Sequence, residues 1–247
     1  MEQNKVRLRI VACILLVLFC LSGCSLSSIL SLFKKDSLVR NTPEALYVRG
    51  SAEFQDGNYK KAREYFTRLK DEHPLSDLAI LAELGIADSF FTDKEYVEAE
   101  NAYSEFLNMH PTNENIPYVI YQIGVCHYNH KESIDRDQTE TIKAKKEFER
   151  LIARFPDSRF ALAAGKLLRE CNQDIAEHEF YVGKFYFRQK KYQAALSRFE
   201  TITFNYPNIG LDYKVEYYIE ETKRKIVEEE KLKEAKELKK DSAQKKK

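Results

Sequence analysis

Four segments of this 247-residue chain end in the same pattern of residues, and this internal repetition restricts the possible folds more than any other feature. Each segment has an alanine, an aromatic residue four positions later, an apolar residue three further on, and a proline after another five. The four copies are Ala62-Phe66-Leu69-Pro74, Ala99-Tyr103-Phe106-Pro111, Ala144-Phe148-Leu151-Pro156 and Ala195-Phe199-Ile202-Pro207. The spacing places the first three side chains on one helical face, and the proline ends the helix. The chain is therefore predicted to consist of repeated helical units.

A second helix precedes each of these, with a small residue at the point where the two helices would cross. The small residues are Gly50, Ala87, Gly124 and Gly183, and in three units a tyrosine introduces the following helix, namely Tyr59, Tyr96 or Tyr192. This arrangement resembles the tetratricopeptide repeat, a helix–turn–helix of about 34 residues. The eight glycines and six prolines suit long helices better than a β-sandwich. We predict an all-α fold, a right-handed superhelix of about five such repeats.

The prolines lie farther apart than the ideal repeat, so the pattern requires two insertions. The first is predicted around Asn129 to Glu140, between the two helices of the third unit. The second is predicted as an extra helix, about Ser158 to Ile175, before a segment that begins near Glu179. This gives roughly ten helices, with the last pair ending beyond Tyr217.

The N-terminus has the features of a bacterial export signal. Three basic residues precede an apolar stretch from Ile10 to Leu21, which is shorter than the roughly 20 residues of a transmembrane helix. The following Leu21-Ser22-Gly23-Cys24 resembles a lipobox. We expect Cys24 to carry a diacylglycerol and a further acyl chain such as palmitate, which together anchor a protein stably. An ordinary secretory signal with an incidental cysteine is the alternative.

These patterns divide the chain into four parts. We predict a lipoprotein signal peptide at residues 1–23, a lipidated tether at 24–40, the repeat domain at 41–220, and a Glu/Lys-rich tail at 221–247 that is a frayed helix or disordered. Ser25 follows the lipobox where an aspartate would favour the inner membrane. The expected location is therefore the periplasmic face of the outer membrane. Cys126 and Cys171 are expected to be small buried residues, with a disulfide as the alternative.

The sequence contains no recognisable catalytic pattern. It lacks a Gly-rich loop, a Gly-x-Ser-x-Gly motif and a Walker motif, and the best metal candidate, Cys126-His127 with His130, has no second cluster. The net charge of +1 creates no overall field that would recruit nucleic acid. We expect a protein that is not an enzyme, has no metal and no cofactor other than the acyl chains on Cys24, and does not bind nucleic acid.

The first helix of each repeat supplies a candidate peptide-binding groove, because in tetratricopeptide proteins these helices line the concave surface. The eight positions are Tyr47, Ser51, Phe54, Asp88, Phe91, Tyr118, Tyr121 and Tyr128. An aromatic surface with a few polar groups suits an extended or helical peptide with apolar and aromatic side chains. For each ring taken singly, filling the space between repeats is the alternative.

The order of motifs resembles the BamD family, the tetratricopeptide lipoproteins of the bacterial β-barrel assembly machine. The resemblance extends from Pro43 to about Tyr217. It rests on the lipobox, Phe54-Gln55-Asp56-Gly57-Asn58-Tyr59, Asn115-Ile116-Pro117-Tyr118-Val119, the insertion with Asp135-Arg136-Asp137, and Phe155-Pro156-Asp157-Ser158. It implies a scaffold that receives unfolded outer-membrane protein precursors in its N-terminal repeats and docks the periplasmic domains of the barrel insertase in its C-terminal repeats, beside other assembly lipoproteins. A scaffold for cell-wall or envelope-integrity machinery is the alternative.

Four residues are candidate partner contacts under this resemblance. Arg198, on the second helix of the last full repeat, is a candidate docking charge, with an ordinary solvated arginine as the alternative. Asp135, Arg136 and Asp137 could contact a partner, but ordering of the insertion or capping of the next helix is the favoured interpretation.

Overall fold

The computed structural model describes residues 41–244, and this part of the chain contains helices and no β-strand. Its nine helices are α1 (Pro43–Gln55), α2 (Tyr59–Glu72), α3 (Asp77–Thr92), α4 (Tyr96–Met109), α5 (Ile116–Asn129), α6 (Thr139–Arg154), α7 (Arg159–Arg188), α8 (Tyr192–Asn205) and α9 (Asp212–Gln244). The prediction of an all-α fold of helix–turn–helix repeats is confirmed. Within the described range, no helix combines the length and apolarity needed to cross a bilayer. Cys24, the predicted signal peptide and the predicted tether lie outside the described residues.

The described chain forms two compact units, the first ending at Ile86 and the second beginning at Ala87. In the first unit, α1 packs on α2 around Leu46, Phe66 and Leu69. In the second unit, each helix from α4 to α9 packs against the next one in sequence, and α5 also contacts α7. One core cluster of this unit contains Phe199 and Ile202 of α8 and Val215 of α9.

Each second helix ends two residues before its proline, in one recurring conformation. The residue before the proline has φ between −137° and −126° and ψ between 55° and 61°, and its N–H donates to the carbonyl four residues earlier. These residues are His73, His110, Phe155 and Tyr206. A proline disfavours helical geometry at the residue before it, so the helix cannot continue. The predicted helix ends are confirmed.

Glycines allow the two helices of a hairpin to approach closely in three of the repeats. A Cβ atom added at any of them would overlap the aromatic ring of the second helix. The contacts, from the ideal Cβ position to the nearest ring carbon, are Gly50 to Phe66 at 2.6 Å, Gly124 to Phe148 at 2.5 Å and Gly183 to Phe199 at 2.6 Å. In the remaining repeat, Ala87 is fully buried. The crossing points predicted at Gly50, Gly124 and Gly183 are confirmed.

The turns inside three hairpins share one geometry. A phenylalanine near the end of the first helix packs edge-on against the tyrosine that begins the second helix, and the residue three after the phenylalanine has a left-handed backbone. The sets are Phe54–Tyr59 with Gly57 (φ 80°), Phe91–Tyr96 with Lys94 (φ 64°), and Phe187–Tyr192 with Lys190 (φ 58°). The tyrosines therefore begin α2, α4 and α8, as predicted.

The prediction of roughly ten helices is wrong for the described residues, which form nine. No break separates the expected extra helix from the segment near Glu179, because α7 is one helix of 30 residues. Cys171, Ile175, Ala176 and Gly183 are all buried, so a single apolar stripe continues through the expected turn. The Glu/Lys-rich segment is helical as far as Gln244, with exposed side chains from residue 230 to residue 240.

Candidate polypeptide-binding site

Five aromatic side chains from four helices of the second unit form a continuous row. Tyr103 of α4 contacts Tyr118 of α5 at a centroid distance of 6.2 Å, and Tyr118 contacts Phe160 of α7 at 5.5 Å. Phe160 contacts Tyr121 of α5 at 5.6 Å, and Tyr121 contacts Phe148 of α6 at 6.2 Å. Tyr103 and Phe148 are fully buried, whereas the other three rings are partly exposed. We call these five residues the aromatic row.

A carboxylate from α3 lies at the Tyr103–Tyr118 end of the aromatic row. The hydroxyl groups of Tyr103 and Tyr118 both donate to Oδ1 of Asp88, at 2.5 and 2.6 Å. The amide Nε2 of Gln122 donates to the same two hydroxyl oxygens, at 3.3 and 3.0 Å. Asp88, Tyr103, Tyr118 and Gln122 therefore form one hydrogen-bonded group, the Asp88 cluster, which joins α3, α4 and α5.

The Asp88 side chain is largely buried, and this burial dominates the electrostatics of the cluster. Burial raises the pKa of Asp88 above its ordinary value, while the hydroxyl groups of Tyr103 and Tyr118 oppose that rise. Burial also raises the pKa of both tyrosines, and the charge of Asp88 raises it further. Both hydroxyl groups consequently remain protonated hydrogen-bond donors at neutral pH.

Asp88, Tyr118 and Tyr121 are the predicted groove residues that the structure brings together. Phe91 packs in its turn at 5.7 Å from the Tyr96 ring. Tyr128 lies at the end of α5, where its hydroxyl donates to Glu170 of α7.

The three candidates of the first unit are Tyr47, Ser51 and Phe54. The Tyr47 ring lies 5.9 Å from that of Phe66, and Phe54 packs on Tyr59, so both rings partly fill the first-unit core. All three side chains remain partly exposed.

Sequence reasoning did not assign Tyr103, Gln122 or Phe160 to the site. A signal for Tyr103 exists, because it is a tyrosine where the other repeats have Phe66, Phe148 and Phe199. A buried hydroxyl needs a hydrogen-bond partner, and Asp88 directly follows the crossing residue of the same repeat. Phe160 follows the α7 N-cap, and no pattern along the chain relates it to α5.

Three of the four candidate docking residues, Arg198, Asp135 and Asp137, have partners within the chain. Nη1 of Arg198 donates to both carboxylate oxygens of Glu179, at 3.0 and 2.9 Å, and the arginine side chain is 43% exposed. Oδ1 of Asp137 accepts from the N–H of Thr139 at 2.8 Å, at the start of α6, and Asp135 accepts from the Ser133 hydroxyl at 2.5 Å. Arg136 is exposed. Both contacts lie within or next to the insertion, and the Asp137 contact satisfies the first N–H of α6, whose N-cap is Gln138.

The insertion loop, residues 130–138, is held against α7. Nζ of Lys131 donates to Asp174 at 2.5 Å, and Nδ1 of His178 lies 2.7 Å from the carbonyl oxygen of Ile134. Lys131 also lies over the Tyr128 ring, 4.1 Å from its centroid. The loop therefore has a defined position on the second unit.

The two thiols of the second unit are buried, and His127 has a partner within the chain. Cys126 and Cys171 are free and buried, and burial raises the pKa of each thiol to about 12. Nδ1 of His127 lies 2.7 Å from Oε2 of Glu140. Among the described residues, no three His, Cys, Asp or Glu side chains are grouped so that they could hold a metal ion.

Comparison with known proteins gives matches over most of the chain. A family model described as outer membrane lipoprotein, YfiO, matches residues 39–238. The chain is 32% identical over 199 residues to the outer membrane protein assembly factor BamD of Rickettsia prowazekii (strain Madrid E), with 80% of this chain and 76% of that protein covered. It is 26% identical over 171 residues to the factor of the same name from Caulobacter vibrioides, with 68% and 56% covered. A solved structure of MamA from Desulfovibrio magneticus RS-1 has 16% identity and a TM-score of 0.39, with 74% and 87% covered.

Proposed function

This chain belongs to the YfiO family of outer membrane lipoproteins. On that premise, we propose that it is a lipid-anchored scaffold that binds both unfolded β-barrel precursors and the barrel insertase. The curated relatives are named outer membrane protein assembly factors, and a role in that assembly is the function of this chain. A protein of this class is not an enzyme. The precursor, the insertase and other assembly lipoproteins are its proposed partners.

The aromatic row is the observation that carries the proposal of precursor binding. Tyr118, Tyr121 and Phe160 each expose part of a ring along one continuous line of contacts. Strands of membrane barrels alternate apolar and polar residues and carry aromatic girdles, so an unfolded precursor presents aromatic side chains at regular spacing. Each aromatic pair contributes about 0.5–1.5 kcal/mol beyond burial of its area. Several such contacts would retain an extended segment without a deep pocket.

Peptide binding tests the proposed precursor site. In the double variant Tyr118→Ala, Tyr121→Ala, we expect the affinity for a peptide that ends in an aromatic residue to fall at least roughly tenfold, because tyrosines are frequent hot spots of interfaces. The matched control is Tyr213→Ala with Tyr217→Ala, which removes two exposed rings of α9 outside the row. Far-UV circular dichroism checks that both variants keep their helicity. Equal affinity for the two double variants would contradict the assignment.

Co-purification of the native lipoprotein tests the proposed partners. We expect the barrel insertase to be recovered, with Arg198 contributing a docking charge from its partly exposed guanidinium. Arg198→Ala should reduce that recovery, whereas Arg224→Ala, an exposed arginine of α9, should not. Recovery of peptidoglycan synthases or hydrolases without the insertase would favour the envelope-integrity alternative.

Cell fractionation tests the proposed anchor, which lies outside the described residues. Cys24→Ser should leave the protein folded but no longer retained in the membrane, because the acyl chains provide the attachment. Cys20→Ser, in the preceding apolar stretch, is the matched control and should be retained. Normal retention of Cys24→Ser would exclude the lipid anchor.

A further inference from the structure

The two oxygens of the Asp88 carboxylate have different surroundings. Oδ1 accepts hydrogen bonds from both tyrosine hydroxyl groups, at 2.5 Å from Tyr103 and 2.6 Å from Tyr118. Oδ2 accepts none from the described part of the chain, and it is not among the fully buried atoms that lack a partner. The carboxylate is therefore held in one orientation by two donors, and its second oxygen is not fully buried.

Among the described residues, the negative charge of Asp88 also lacks a counter-charge. Within residues 41–244, the groups that act on Asp88 are two neutral tyrosines, and no lysine, arginine or histidine pairs with it. A largely buried carboxylate is costly unless a cation or several hydrogen bonds compensate it. Two other partly buried acids of the second unit do have a cation, since Asp174 pairs with Lys131 and Glu179 pairs with Arg198. Asp88, at the end of the aromatic row, has no such pair among the described residues.

We propose that Asp88 is the ionic specificity determinant of the polypeptide-binding site, with Oδ2 accepting a hydrogen bond from a lysine, arginine or N-terminal ammonium group of the bound segment. This inference rests on the proposed function and adds the chemistry of the ligand. The preferred segment carries a cationic side chain close to an aromatic one, so that the cation reaches Asp88 while the aromatic ring packs along the row.

The neighbouring rings favour the same ligand. Tyr118 has its hydroxyl on Asp88 and its ring in the row, so an aromatic side chain that packs along the row lies close to a cation bound at Oδ2. A cation is compatible with these rings, since the Arg159 guanidinium lies 4.7 Å from the centroid of Phe160. Ion pairing and aromatic packing therefore favour the same segment.

Peptides that differ in one ammonium group test this assignment. Each peptide ends in an aromatic residue and carries either lysine or norleucine at one of several positions, since norleucine keeps the side chain but not the charge. Fluorescence anisotropy at low ionic strength gives the Kd values. At the position that reaches Asp88, we expect lysine to be preferred about tenfold, equivalent to about 1.4 kcal/mol. Asp88→Asn should abolish this preference, because asparagine still offers an oxygen to both tyrosines but carries no charge.

The control and the contrary outcomes separate this inference from the proposed function. Glu105→Gln, at an exposed site of α4, removes one negative charge as Asp88→Asn does. This control variant should keep the lysine preference. No binding of any peptide by the unaltered protein would overturn the proposed function, and with it this inference. Binding of all peptides without a lysine preference, or a preference that survives in Asp88→Asn, would overturn only the role of Asp88. Asp88→Ala is the second variant if Asp88→Asn does not fold.

Discussion

Asp88 combines stable positioning with an unfavourable environment. The two tyrosine hydroxyl groups hold its carboxylate in place, yet burial raises its pKa because the ionised form loses contact with water. The ionised form of Asp88 is therefore less favourable in the folded chain than in water.

Asp88→Asn should raise the free energy of unfolding at pH 7. Because the folded-state pKa of Asp88 is raised, ionisation costs more in the folded than in the unfolded chain, and stability is lost as pH rises through the folded pKa. Below the ordinary value of 3.8, both states are protonated and the difference should disappear. Urea unfolding at a series of pH values measures it. A variant less stable than the parent at pH 7 would contradict this account.

Lys190 occupies a position that glycine would adopt more easily. Its φ is 58°, and the equivalent residue of the first hairpin is Gly57, with a φ of 80°. A side chain in the left-handed region costs about 1–2 kcal/mol. Lys190→Gly should therefore stabilise the chain by roughly 1 kcal/mol after the entropy of the unfolded glycine is counted. Lys190→Ala is the control, since it removes the exposed side chain without relieving the backbone, and thermal unfolding compares the three proteins.

At the level of the helices, packing of a glycine against an aromatic ring closes three of the hairpins. The ring of Phe148 lies where a side chain at Gly124 would be, so the distance between α5 and α6 depends on the absence of a Cβ atom. Glycine is otherwise unfavourable inside a helix, by about 1 kcal/mol relative to alanine. Its presence here indicates that close approach of the two helices is worth more than helix propensity.

Gly124→Ala should destabilise the chain by about 1–3 kcal/mol, because the new methyl group would lie 2.5 Å from a buried ring carbon of Phe148. The matched control is Gly165→Ala in α7, where an added Cβ meets nothing within 4 Å. That variant should be neutral or more stable by up to about 1 kcal/mol. Urea denaturation measures both variants. Equal effects would show that helix propensity, and not ring contact, decides the residue at position 124.

At the level of the whole described chain, α9 divides into a packed part and an exposed part. Val215 is buried in the core cluster with Phe199, and Tyr218 packs on the same cluster. The helix has 33 residues, about 50 Å in length, and its residues from 230 to 240 are exposed. The core therefore depends on the beginning of α9 and not on its charged end.

Removal of residues 231–247 should change the free energy of unfolding by no more than about 0.5 kcal/mol, because exposed residues contribute little. In contrast, Val215→Ala should cost roughly 2 kcal/mol through the loss of two buried carbons and the cavity they leave. Differential scanning calorimetry compares the two proteins. A large loss of stability on truncation would mean that the charged segment packs against the folded chain.

Much of the fold was predictable because the responsible interactions are local. Tyr59, Tyr96 and Tyr192 begin their helices as predicted, since the turn that precedes each depends on a contact only five residues away. The prolines stop the second helices through their own ring. The continuity of α7 was not predictable from the repeat pattern, because a helix continues wherever its buried stripe finds a surface to cover.

The sequence by itself determined the helix ends at the prolines, the three glycine crossing points and the insertion, because periodicity, glycine and proline act within a few residues. Only the tertiary structure decided which distant side chains meet. Phe160 joins Tyr118 and Tyr121 because α7 packs against α5, and no spacing along the chain encodes that contact. Likewise, a single carboxylate oxygen of Asp88 receives both hydroxyl groups because three helices converge there. The aromatic row and the carboxylate beside it are products of packing.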